Sequence, residues 1–91
     1  MSKYGWMLKL SDELGGQEIY GPSALSRELN NELLVGNGAE FKVYDNDDIL
    51  CGIGRIVGDY EGFEPMDDYA TPSLGCTKIQ YKQLNGMWMT L

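Results

Sequence analysis

The sequence predicts an α+β fold: one helix packed on an antiparallel sheet of four or five strands, in a single domain over residues 1–91. Three observations carry this. Residues 3–10 alternate apolar and polar. Residues 22–34 carry leucines at a four-residue spacing. Two turn signals, Asp45-Asn46-Asp47 and Leu84-Asn85-Gly86, each sit between apolar alternating runs.

In 3–10, Tyr4, Trp6, Leu8 and Leu10 share one side, and Lys3, Gly5, Met7 and Lys9 the other. That is the pattern of a half-buried strand. Gly15-Gly16 marks a turn, and 17–20 can add a short extended piece. Leu25, Leu29 and Leu33 form one stripe of the helix expected over 22–34. Pro22 suits its first turn and Ser23 its cap, and Gly36-Asn37-Gly38 ends it.

Residues 39–57 read as a hairpin with a three-residue loop, Asp45-Asn46-Asp47. That loop sets Val43 opposite Ile49 and Phe41 opposite Cys51, and keeps apolar partners on one face. Arg55 then falls where an apolar residue is due, so a bulge is expected at Gly54. At the C-terminus, a loop with a left-handed Gly86 sets Tyr81 opposite Met89 and Ile79 opposite Leu91. It puts Trp88 on the other face, opposite Lys82. Between the hairpins, 58–75 is expected to be a long, partly ordered loop pinned by aromatics.

The chemistry on offer is narrow. The chain has fourteen Asp and Glu, seven Lys and Arg, and no histidine, for a formal charge of −7. That balance disfavours anionic nucleic acid and membrane as direct ligands and favours a basic protein surface. It also suits a small protein that simply stays soluble. Cys51 and Cys76 have neither a CxxC spacing nor a histidine, so no metal or cofactor is expected, and both read as buried free thiols. No apolar leader follows Met1-Ser2-Lys3, which predicts a cytoplasmic protein. Asp45-Asn46-Asp47-Asp48 opens like a calcium loop, but Leu50 stands where Gly is required and Ile56 where a bidentate Glu is required. Gly52-Ile53-Gly54 lacks the third glycine of a phosphate-cradling turn. Without a base beside a nucleophile, an enzyme is not expected.

The candidate site is the acid-and-aromatic stretch. Asp59, Glu61, Glu64, Asp67 and Asp68 interleave with Tyr60, Phe63 and Tyr69. Carboxylates form charge-assisted pairs with Arg and Lys, and aromatics anchor interfaces. Spaced carboxylates can also stand in for a phosphate backbone. The alternative is a solvated loop with its aromatics packed inward.

Gly54-Arg55-Ile56, Phe63-Glu64-Pro65-Met66-Asp67-Asp68-Tyr69 and Gly75-Cys76-Thr77-Lys78-Ile79-Gln80-Tyr81 resemble stretches of small acidic proteins of unassigned activity carried by bacteria and their phages. In size, acidity and lack of catalytic groups, the chain is similar in type to anti-CRISPR and other phage anti-defence proteins. The resemblance implies a non-enzymatic inhibitor in the bacterial cytoplasm. Its implied partner is the basic face of a nucleic-acid-binding protein or nuclease complex. It carries over no individual residue. A protein-binding module with a non-mimic interface, a virion component and a small enzyme stay open as alternatives.

Overall fold

The computed structural model describes residues 3–91. Met1 and Ser2, used in the leader argument, lie outside the described residues. Six strands form one antiparallel sheet: β1 (Tyr4–Leu10), β2 (Glu18–Gly21), β3 (Ala39–Asp45), β4 (Leu50–Gly58), β5 (Cys76–Lys82) and β6 (Trp88–Thr90). Their order across the sheet is β2-β1-β4-β3-β5-β6. The strand beyond the expected five is β2, in the short extended piece after the Gly15-Gly16 turn.

Both faces of the sheet bury apolar residues, in unequal amounts. On the first face, Trp6, Leu8, Phe41, Val43, Ile56 and Ile79 are almost fully buried. Each such side chain contributes on the order of 2 kcal/mol when removed from water, so this is the main core. The second face holds a smaller cluster of Met7, Val57 and Leu33, with Leu25 and Leu29 packed against it. Met7 is therefore buried too, and β1 is not half-buried as its alternation predicts. Helix α1 (Arg27–Leu34) lies over it.

The leucine stripe packs as expected, but α1 starts later than Pro22 and Ser23 suggest. Pro22 instead opens a turn, its carbonyl accepting from the Leu25 N–H at 3.0 Å. Ser26 is the cap. Its hydroxyl accepts from the Leu29 N–H at 3.2 Å, a bond worth about 1 kcal/mol. The other end of α1 has no basic residue in its last turn. Arg55 of β4 supplies one from outside, donating to the carbonyls of Leu33 at 2.9 Å and Asn37 at 3.1 Å.

The β3–β4 register differs from the expected one. Phe41 lies opposite Gly54 rather than Cys51, and Val43 opposite Gly52 rather than Ile49. Two irregularities cause this. The loop runs one residue later, closing with the Asp45 N–H on the Ile49 carbonyl, and Asp48 takes a left-handed φ of 60°. A bulge then falls between Val43 and Tyr44 where they meet β4, leaving Cys51 as the extra residue. No register shift occurs at Gly54. That glycine sits on the main core face, where a Cβ would land 2.7 Å from the Phe41 ring. Arg55 does not break the pattern; it points to the second face.

The C-terminal hairpin has the expected register. Tyr81 pairs with Met89, and Lys82 with Trp88. The Leu91 N–H donates to the Ile79 carbonyl at 3.1 Å. Gly86 has a φ of 86°.

Residues 58–75 are more ordered than a pinned loop. After Phe63 the chain turns helical: a π-helical turn, Met66–Ala70, runs straight into a short second helix, α2 (Thr71–Leu74). Pro65, Met66 and Ala70 are buried against the main core. This segment roofs the first face of the sheet, hereafter the loop face. The second face is the helix face.

Candidate functional site

The acid-and-aromatic stretch divides into residues turned inward and residues turned outward. Asp68 is exposed but tied to β1 by its bonds. One of its oxygens, Oδ2, accepts from the Tyr4 hydroxyl at 2.8 Å and the Trp6 indole N–H at 3.0 Å. Burial, reinforced by that bond and by the Asp68 charge, pushes the Tyr4 hydroxyl pKa up to about 12. Glu64 folds back over its own turn. Its two oxygens accept from the Glu61 and Gly62 N–H groups, each at 2.7 Å. Partial burial pushes its pKa up, but backbone N–H donors outweigh this and hold it below the usual carboxylate value.

Two of the three aromatics also point in. Tyr60 stacks on Tyr81, ring centroids 6.3 Å apart, and Tyr69 lies against Trp6 at 6.0 Å. The buried Tyr81 hydroxyl donates to the Gly62 carbonyl at 2.8 Å, and burial raises its pKa. What remains outward is Asp59, Glu61, Phe63 and Asp67. Phe63 is 49% exposed. The expected site is therefore half scaffold. Glu64, Asp68, Tyr60 and Tyr69 shape the surface from which the other four project. Alternation along 59–69 gave no hint of this division, because a π-helical turn does not follow a strand's period.

The hairpin tip is closed by hydrogen bonds to one of its own side chains. The Asp45 carboxylate accepts from the Asp47 N–H at 2.8 Å and the Ile49 N–H at 3.0 Å, as in an Asx turn. Among the described residues, no group of three or more His, Cys, Asp or Glu is placed to hold a metal ion. No helix among them is long and apolar enough to cross a membrane. Both cysteines are free and buried. Burial, then the neighbouring Cys51, pushes the Cys76 thiol up to about 12.

The helix face carries a second surface that the sequence reading left out. Cross-strand partners share a face, so the registers place Lys9, Ile53, Lys42, Gln80 and Thr90 in one row. Lys82 and Trp88 lie on one side of this row, and Tyr44 and Lys78 on the other. Lys42 Nζ sits 4.2 Å from the centre of the Trp88 ring, and Lys78 Nζ 4.8 Å from that of Tyr44. Lys78 also pairs with Asp48 at 2.7 Å, and Lys82 with Glu40 at 3.3 Å. The signal was available: these residues alternate with the core residues Phe41, Val43, Ile79 and Tyr81.

No protein-family model, curated protein or solved structure matches this chain. Any functional reading therefore rests on these two surfaces.

Proposed function

We propose that this chain is a non-catalytic inhibitor that binds a basic, nucleic-acid-handling surface of a bacterial protein. Asp59, Glu61 and Asp67 meet Lys or Arg of the target, and Phe63 is the apolar anchor between them. The observation that carries the reading is Phe63. Its aromatic neighbours Tyr60 and Tyr69 are packed inward, while Phe63 is exposed in a stretch that also exposes Asp59, Glu61 and Asp67. An exposed aromatic in a charged stretch suits an interface anchor. The absence of histidine, and so of an imidazole base beside any Ser, Thr or Cys, supports a binding role over catalysis.

The test is affinity capture from a bacterial lysate at low and high salt, with identification of what elutes. Glu61→Gln with Asp67→Asn, and separately Phe63→Ala, are then measured against the purified target. These substitutions spare Glu64 and Asp68, which hold the local fold. Each variant is expected to weaken binding on the order of tenfold, and salt to slow association. Nucleic acid is expected to compete. Capture indifferent to salt and to all three substitutions would overturn the reading.

A second reading, a module with a non-mimic interface, rests on the sheet edge. Met89 of β6 is 50% exposed, and Met87 and Leu91 at its two ends are 67% and 44% exposed. Binding lost on Met89→Ser but kept in the carboxylate variants would favour it.

A further inference from the structure

Overall charge argues against an anionic ligand, yet most of the basic residues gather on one side. Of the seven Lys and Arg, Lys9, Lys42, Arg55, Lys78 and Lys82 all belong to the helix face by strand register. The acidic stretch 59–68 lies over the opposite face, where its Met66 joins the main core. The molecule is 21 Å across its shortest axis, and the influence of exposed charges fades over about 8 Å at physiological salt. A ligand on the helix face therefore meets local charge first. Carboxylates stand beside the row as well: Glu18 opposite Lys9, Asp12 in the same hollow as Lys9 and Ile53, Asp48 paired with Lys78 and Glu40 paired with Lys82. Lys9 and Lys42 have no carboxylate partner within ion-pair distance among the described residues.

We propose that the helix face binds single-stranded nucleic acid. This goes beyond the proposed function and uses a different surface. Bases stack on Trp88 and Tyr44, and phosphates meet Lys9 and Lys42. Both rings stand on an open sheet, each with a lysine ammonium above it. At Trp88 an arriving base displaces Lys42 from the ring face, and the freed ammonium turns to the adjoining phosphate. Trp88 lies opposite Lys82 and Tyr44 opposite Lys78. Four residues of strand separate the two levels, about 13 Å, so the rings receive different nucleotides. Ile53, 44% exposed, gives an apolar floor in the middle row. The single-stranded form is favoured over a duplex because stacking on side chains needs unpaired bases. An acidic peptide would satisfy the lysines but would leave the rings unused.

The test is fluorescence anisotropy with a fluorescein-labelled oligothymidylate of about ten residues, at about 50 mM and about 200 mM salt. Binding is expected at low salt, with quenching of the partly exposed Trp88 rather than the buried Trp6. Trp88→Ala is expected to weaken it on the order of tenfold, with Trp88→Phe retaining most of it. Lys42→Gln is expected to weaken binding and to lower the salt slope by about 0.7. Glu61→Gln with Asp67→Asn, on the other face, should leave it intact, which separates this proposal from the inhibitor reading. No binding at low salt by the folded wild-type protein would overturn the proposal. So would binding unaffected by Trp88→Ala and Lys42→Gln, or equal binding of the matching duplex or of polyglutamate.

Discussion

The indole N–H of Trp6 donates to Asp68 across 62 positions of sequence, at 3.0 Å. The same carboxylate oxygen takes the Tyr4 hydroxyl at 2.8 Å. One exposed acid thus clips the roofing segment to β1. Trp6 is only 2% exposed, so losing its acceptor leaves a donor poorly served by water. Asp68→Ala is expected to destabilise the fold by about 1–3 kcal/mol, and Asp68→Asn by less, since an amide oxygen still accepts. Urea denaturation followed by tryptophan fluorescence measures both. Equal stability of wild type and Asp68→Ala would show that the clip contributes nothing.

Glu64 gives a pH signature. Its folded pKa lies below the ordinary value of 4.5, because backbone donors outweigh burial. A depressed acid contributes stability that is complete above its unfolded pKa and is lost as pH falls through the folded one. The stability difference between wild type and Glu64→Gln should therefore stay constant near neutrality and shrink below about pH 4.5. A difference that grows on acidification would contradict the assignment.

Two glycines are expected to respond differently to alanine. At Gly86 a Cβ meets open space, and the cost is only that of a φ of 86°, about 1 kcal/mol. At Gly54 a Cβ would strike the Met7 carbonyl oxygen and crowd the Phe41 ring. Backbone must move there, at a cost on the order of 3 kcal/mol. Thermal or chemical denaturation of the two variants ranks them, and the reverse order would refute the β3–β4 register.

The thiols should be inert in the native protein. Cys51 is 4% exposed and Cys76 fully buried, and the Cys76 pKa is pushed up to about 12, so little thiolate exists at neutral pH. A thiol reagent should react slowly under native conditions and reach both cysteines promptly in denaturant. Rapid native labelling of Cys76 would count against its placement.

The C-terminal hairpin was legible because turn chemistry and alternation agree there: Gly86 supplies the left-handed residue, and Tyr81 and Met89 fall on one face. The β3–β4 hairpin was not, because the core-facing positions of β4 include Gly52 and Gly54, which carry no apolar signal. Their emptiness makes room for Leu8 and Phe41 from the neighbouring strands. The apolar run Ile49, Cys51, Ile53 therefore pointed to the wrong register. The helix stripe was legible, but its start was not, because Pro22 and Ser23 imitate the cap that Ser26 provides. In the acidic stretch, composition named a segment but not its division. It could not separate Glu64 and Asp68 from Glu61 and Asp67, since that division depends on partners such as Trp6 and on a π-helical turn.

The Arg55 bond to the end of α1 bears on the order in which this chain assembles. A helix of eight residues is too short to persist alone in water. The carbonyl of Leu33 in its last turn, and that of Asn37 just beyond it, are held by a side chain that emerges from the middle of β4, after the whole of β3 has been made. On a ribosome, or in a fragment ending before Arg55, the helix lacks both that clamp and the Val57 surface beneath it. Residues 27–34 are therefore expected to become helical only with the central strand in place, making helix content a reporter of sheet closure rather than an early event.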